Sequence, residues 1–239
     1  MHAAGGAAGV GGRGGGCGVS FDCAGFGVRQ ERAVGPDHGR DGGDKHYGNG
    51  DCLATGDWRE VVGRDDIDAI MNSTPDHRHV PISVAAVRRG KHVSCEKPLT
   101  LSVAEGRVLA DAVAKHGVTF RTDSECRTDA YMHRVTELVR NGYVGAIRRI
   151  EVGVPTGDVA GGQATPTPVP AELDYDMWTG PAPQKPYAVD RVHPPQAYTR
   201  PGWMRCRDTC EGMVTNWGTH TLDATQPHRR GRVHSRRGR

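Results

Sequence analysis

Between Ile67 and Phe120 three short apolar runs alternate with two helix-length segments, and this alternation constrains the fold more than any other feature of the chain. Ile67 to Ser73 is a β-branched run. Asp76 is placed to cap a helix from His77 to Arg89, closed by Gly90. Lys91 to Cys95 reads as a second strand. Ser102-Val-Ala-Glu105 has the spacing of a capping box, in which hydroxyl and carboxylate satisfy orphan amides at a helix start. The helix that follows is expected to bury Ala104, Val108, Leu109, Ala112 and Val113 at helical spacing and stops at Gly117. Val118 to Phe120 is the third strand. Strands and helices alternating through short connections predict a parallel α/β sheet.

Beyond the third strand, Ala130 to Asn141 predicts a helix with Tyr131, Val135, Leu138 and Val139 on one face. Ile147 to Val154 alternates as a strand would. After Pro155 the chain becomes proline-rich, with Trp178, Tyr187, Tyr198 and Trp203, as suits an extended segment running over a surface. Met213 to Gln226 predicts one more helix. The boundaries expected are a Gly-rich segment over residues 1–45, an α/β domain over 46–127, a second domain over 128–226 and a basic tail over 227–239.

The two ends differ from the middle. Eleven of the first 27 residues are glycine, and that stretch has no Val, Ile or Leu run able to make a strand. Gly9-Val-Gly11-Gly-Arg-Gly14 matches G-x-G-x-x-G, but no strand precedes it and no helix follows, and such a match is expected by chance at this glycine frequency. At the other end, residues 227–239 hold six arginines and no acid, so the net charge of +3 becomes −3 over residues 1–226. A nucleic-acid binder carries its basic charge on a folded face, so this pattern argues for a solvated tail and against nucleic acid as partner. Seven cysteines form no C-x-x-C pair; the nearest, Cys206 and Cys210, lack histidines at zinc spacing, so reduced thiols and no metal are expected. No apolar run approaches a membrane span and no secretory signal is readable, which makes the cytoplasm the default location.

The motifs at the strand ends are the most specific. Ser73-Thr-Pro-Asp-His77 follows the first strand and Cys95-Glu-Lys-Pro98 the second, where open α/β sheets bind ligands. With Thr122-Asp-Ser-Glu-Cys-Arg127, Gly142-Tyr-Val-Gly-Ala-Ile and Gly212-Met-Val-Thr-Asn-Trp-Gly-Thr-His220-Thr-Leu-Asp223, residues 46–226 resemble the glucose–fructose oxidoreductase / inositol dehydrogenase (Gfo/Idh/MocA) family. The Trp178-Thr-Gly-Pro-Ala stretch resembles a bacterial branch with long proline-rich insertions.

The resemblance implies an α/β fold: a Rossmann-like parallel sheet, its first strand and glycine loop not recognisable here, followed by a truncated α+β second domain. It implies an enzyme that uses NAD or NADP to oxidise or reduce a small sugar or polyol, with homo-oligomers formed by intact members. Lys97 is assigned to the substrate oxygen, with a cis bond implied at Pro98. His220 is assigned as proton acceptor, with Asn216 one turn earlier where many members carry Asp. Ser73, Thr74, Pro75, His77, Glu96, Lys97 and Arg127 are assigned to the dinucleotide. Desolvation is what would suit a lysine to this chemistry.

Two other readings accompany this one: an NAD-using glycosidase of the same family, and a non-catalytic fragment that binds no dinucleotide. The family's first strand and final strands are missing from the pattern, and frameshifts in a GC-rich gene are expected at both ends. Reading the nucleotide sequence in its other frames tests that expectation. An upstream frame without an apolar strand and glycine loop would refute it.

Overall fold

The structure is a computed structural model, and it describes residues 20–21, 55–124, 129–154, 165–192 and 202–229. Its centre is a parallel sheet of order β1-β2-β3-β4. The strands are β1 (Ser20–Phe21), β2 (Ala69–Asn72), β3 (His92–Glu96) and β4 (Phe120–Asp123). Register is continuous: Ile70 pairs with Val93 and Val93 with Phe120, which lines up the C-terminal ends of β2 and β3. Helix α1 (Trp58–Gly63) precedes β2, α2 (Asp76–Arg88) joins β2 to β3, and α3 (Val103–His116) joins β3 to β4.

Local chemistry accounts for the punctuation. Ser102 caps α3 by accepting the Glu105 amide at 3.2 Å, while the Glu105 carboxylate accepts the Leu101 amide at 3.0 Å. Gly117 ends α3 in the left-handed region at φ +66°, where its amide reaches the Val113 carbonyl at 3.0 Å. The core lies under the sheet, where Val61, Val62, Ile67, Ile70, Ala86, Val87, Val93 and Cys95 pack together. Val80 and Val84 of α2 meet Leu109 of α3 in an adjoining cluster.

The second region begins with α4 (Ala130–Arg140) and continues through α5 (Tyr175–Thr179) and α6 (Val189–Val192) to a 3₁₀ turn (Gly202–Arg205) and α7 (Met213–Arg229). Trp178, Tyr187, Val192, Trp203 and Cys210 make its buried cluster. Tyr175 stacks on Trp178 and meets Tyr187 edge-on, with ring centroids 5.7 and 5.3 Å apart. No helix among the described residues is long and apolar enough to cross a membrane.

Several expectations are corrected. Ser20–Phe21 does form a strand, parallel to β2 with Phe21 opposite Asn72. A two-residue ladder rests on backbone hydrogen bonds, so an apolar run was the wrong signal to require. Residues 147–154 are not a strand: no neighbour pairs with them among the described residues, and Ile147, Ile150 and Val152 are exposed. Asp76 is the first residue of α2, not its cap; Pro75 occupies that position without a side-chain bond. Ala104 and Val108 are exposed, which leaves Leu109 as the one buried apolar residue of α3. Helix α7 runs on to Arg229, three residues beyond the predicted end and into the segment expected as tail. The Gly9–Gly14 motif, Arg127 and residues 230–239 lie outside the described residues.

Candidate active site

The turn after β2 is held from inside. Asn72 is fully buried; its amide donates to the His79 carbonyl at 3.0 Å and the Ser83 hydroxyl at 3.1 Å, and its oxygen accepts the Thr74 hydroxyl at 2.8 Å. The His79 ring stands between two loops, with Nδ1 2.7 Å from the Pro98 carbonyl and Nε2 2.7 Å from the Thr74 carbonyl. Burial pushes its pKa down, and the two carbonyls oppose that shift. One buried ring thus ties the β2 turn to the β3 turn, in which the Lys97–Pro98 bond is cis.

Lys97 leaves the end of β3 half-buried and crosses to the second region, where Nζ donates to Asn216 Oδ1 at 3.1 Å. Asn216 and His220 lie four residues apart on α7, on one face, and both are buried. The His220 ring meets Trp217 edge-on with centroids 6.0 Å apart. The sheet edge and α7 therefore meet through the Lys97–Asn216 bond, and His220 lies one turn further along α7. Glu96 is half-buried beside Lys97, and its carboxylate accepts the Lys97 amide at 3.1 Å.

Thr74 and Pro75 are buried and Ser73 is half-buried. His77 points elsewhere. Its ring is 1% exposed, donates from Nε2 to the Trp178 carbonyl at 2.9 Å and packs 5.4 Å from the indole. Burial pushes its pKa down to about 4, against the pull of that carbonyl, so it is a neutral contact between the two regions. Next to it Arg78 donates to the Met177 sulfur at 3.4 Å, and a Cβ on Gly180 would fall 1.8 Å from that guanidinium. Only glycine admits this close approach.

Asp76 escaped sequence reasoning. A carboxyl in the first turn of a helix reads as an ordinary partner of the helix dipole. In the structure it is 2% exposed and lies against the Cys210 thiol and the Asn216 amide, close to Lys97. Burial pushes its pKa up to about 7, while those three neighbours pull it down. Burial likewise pushes the Cys210 and Cys95 thiols up to about 12, which makes them inert at neutral pH. No group of three or more His, Cys, Asp or Glu side chains is gathered to hold a metal among the described residues.

A parallel sheet whose C-terminal edge meets a helix of a second region is the arrangement of a two-domain α/β nucleotide-dependent enzyme. Residues 46–124 match the family model described as "Oxidoreductase family, NAD-binding Rossmann fold", and residues 129–228 match "Oxidoreductase family, C-terminal alpha/beta domain". The chain belongs to the Gfo/Idh/MocA oxidoreductase family. It is 29% identical over 126 residues to the oxidoreductase YrbE of Bacillus subtilis, covering 53% of this chain and 34% of that protein. It is 31% identical over 94 residues to levoglucosan dehydrogenase of Pseudarthrobacter phenanthrenivorans, covering 39% and 24%. The fold also resembles an oxidoreductase domain protein from Kribbella flavida, with TM-score 0.53 and 23% identity over 84% of this chain and 44% of that one. The chain thus spans about a third or less of these curated relatives.

Proposed function

We propose that the cleft between β3 and α7 is the substrate end of an NAD- or NADP-dependent oxidoreductase acting on a hydroxyl of a small sugar or cyclitol. The observation that carries this reading is the 3.1 Å bond from Lys97 to Asn216, which joins the sheet edge to the helix that bears His220. A cation bonded to an amide, with an imidazole one helical turn away, suits a polyhydroxyl ligand, which both donates and accepts hydrogen bonds. The likeness to a levoglucosan dehydrogenase and to a myo-inositol 2-dehydrogenase of Thermotoga maritima supports this substrate class.

The described residues fit one end of a dinucleotide. Ser73, Thr74 and Pro75 form a turn at the sheet edge with Glu96 near it, and His77 supports that turn from behind through Trp178. Arg127, assigned to the dinucleotide by resemblance, lies outside the described residues, as does the glycine motif. When bound, the nicotinamide supplies the acceptor or donor of hydride. Lys97 orients the substrate oxygen and stabilises negative charge on it, His220 takes or returns the hydroxyl proton, and Asn216 fixes the lysine. Burial of the α7 face keeps water from the reacting carbon.

The 239-residue chain is expected to bind NAD or NADP with a dissociation constant weaker than about 10 μM, because no glycine-loop amides at a helix start are readable for the pyrophosphate. The test follows absorbance at 340 nm with polyols at saturating dinucleotide. Net reduction that requires Lys97 supports the reading. Release of an aryl glycoside without net NADH would replace it with the glycosidase reading, and no turnover of either kind would favour a non-catalytic chain.

A further inference from the structure

Asp76 is a buried carboxyl that the reading above leaves without a task. It starts α2 at the C-terminal edge of the sheet, and three elements close over it. The β3 side brings Lys97 and Cys95, the segment before α7 brings Cys210, and α7 itself brings Asn216. Oδ2 of Asp76 and Nδ2 of Asn216 are both buried without a hydrogen bond of ordinary geometry. Asn216 has spent its oxygen on Lys97, so the amide nitrogen is the end left for the carboxylate. An amide serves both neighbours here, since its oxygen accepts from an ammonium and its nitrogen donates to a carboxylate. A second carboxylate at 216 would face Asp76 and repel it.

We propose that Asp76 is a positioning residue of this cleft, and that Asn216 is the neutral link through which its carboxylate holds Lys97 in place. The proposal rests on the oxidoreductase reading for its purpose but not for its test. Ionised, Asp76 offsets the lysine charge and keeps Nζ at the sheet edge; protonated, it releases that hold. Its midpoint near 7 sets this change within the neutral range. The charged and titratable groups facing it are Lys97, Cys95 and Cys210; both thiols stay neutral throughout that range.

The experiment is a carbon-13 titration of the 239-residue chain labelled at aspartate carboxyls, without dinucleotide. One carboxyl is expected to titrate near neutrality and to vanish in Asp76→Asn. Lys97→Met and Asn216→Ala should each move that midpoint upward by about 0.5 or more, because each removes a group that favours the anion. Asn216→Asp should split the transition into two coupled steps with one above the original midpoint. The double exchange Asp76→Asn with Asn216→Asp should restore a single raised carboxyl. An ordinary helix-start aspartate would titrate near 4 in every variant, and that result overturns the proposal. So does a raised midpoint that neither Lys97→Met nor Asn216→Ala moves. Where an Asp substitution at 216 prevents folding, the wild-type, Lys97→Met and Asn216→Ala titrations still decide the matter. Failure of the oxidoreductase reading would show separately, as no polyol-dependent change at 340 nm at saturating dinucleotide with the titration intact.

Discussion

The sheet region and the helical region meet through contacts such as the Lys97–Asn216 bond, but different forces build them. Residues 69–123 are placed by repetition: each strand adds a register of parallel pairs, and aliphatic residues fill the space beneath. Residues 165–192 and 202–210 form short helical turns around a few rings, chiefly Trp178, Tyr187 and Trp203. Among the described residues the links to the sheet region include His77 to the Trp178 carbonyl, Arg78 to the Met177 sulfur, Lys97 to Asn216, and Asp76 against Cys210 and Asn216. A region held by many equivalent contacts tolerates the loss of one. A region held by a few large side chains does not, and half of the cleft belongs to the second kind.

The largest expected effect follows directly. Trp178 is 5% exposed at the centre of the ring cluster, so Trp178→Ala should cost that region about 3–5 kcal/mol. Urea unfolding followed by circular dichroism and fluorescence should then resolve two transitions, with the sheet region melting later. A single transition shifted to lower urea would show that the two regions fold as one body, and an unshifted one would contradict the expected cost.

The second prediction concerns pH, and the two buried groups at the start of α2 act in opposite directions. Asp76 rises from 3.8 to about 7 on folding, so its contribution is fully present below 3.8 and is lost as pH rises through 7. His77 falls from 6.5 to about 4, so its contribution is present above 6.5 and is lost as pH falls through 4. Each amounts to at most about 3–4 kcal/mol, and between pH 4 and 6.5 they largely cancel. Stability should therefore be nearly flat across that range in the native chain. It should rise with pH in Asp76→Asn and fall with pH in His77→Gln. Parallel curves for all three chains would contradict both shifts.

Third, Lys97→Ala should lower turnover by about 10²-fold or more while leaving dinucleotide affinity nearly unchanged. Loss of affinity alone would move Lys97 from the substrate side to the cofactor side. The smallest effect belongs to the segment misread as a strand. Ile147 is 44% exposed and unpaired, so Ile147→Thr should change stability by less than about 0.5 kcal/mol. A cost above about 1 kcal/mol would mean that this segment packs as the alternation suggested.

These outcomes also divide what the residues could reveal from what they could not. Ser102 and Gly117 announce α3 because capping and left-handed backbone are local chemistry, complete within a few residues. The Glu-Lys-Pro and Thr-Pro-Asp-His motifs mark the sheet edge for the same reason. Val108 was misassigned because helical spacing identifies a face but not whether another layer covers it. Residues 147–154 alternate correctly, yet a strand exists only with a partner, and pairing is not written in one segment. Ser20–Phe21 shows the converse, a strand with a partner but no pattern. Asp76 is the most instructive case, because its task depends on Lys97, Cys210 and Asn216, which lie 21, 134 and 140 positions further along. No local spacing could show that they converge.

The central claim is that Lys97 and His220 serve one substrate from opposite sides of the cleft. It is tested most directly by a crystal structure of the chain with a polyol bound, read at one distance. If both groups bond the same hydroxyl, Lys97 Nζ and the nearer His220 ring nitrogen should lie within about 6 Å, since each hydrogen bond spans about 3 Å. A well-ordered complex with the two nitrogens more than about 15 Å apart would contradict the shared site.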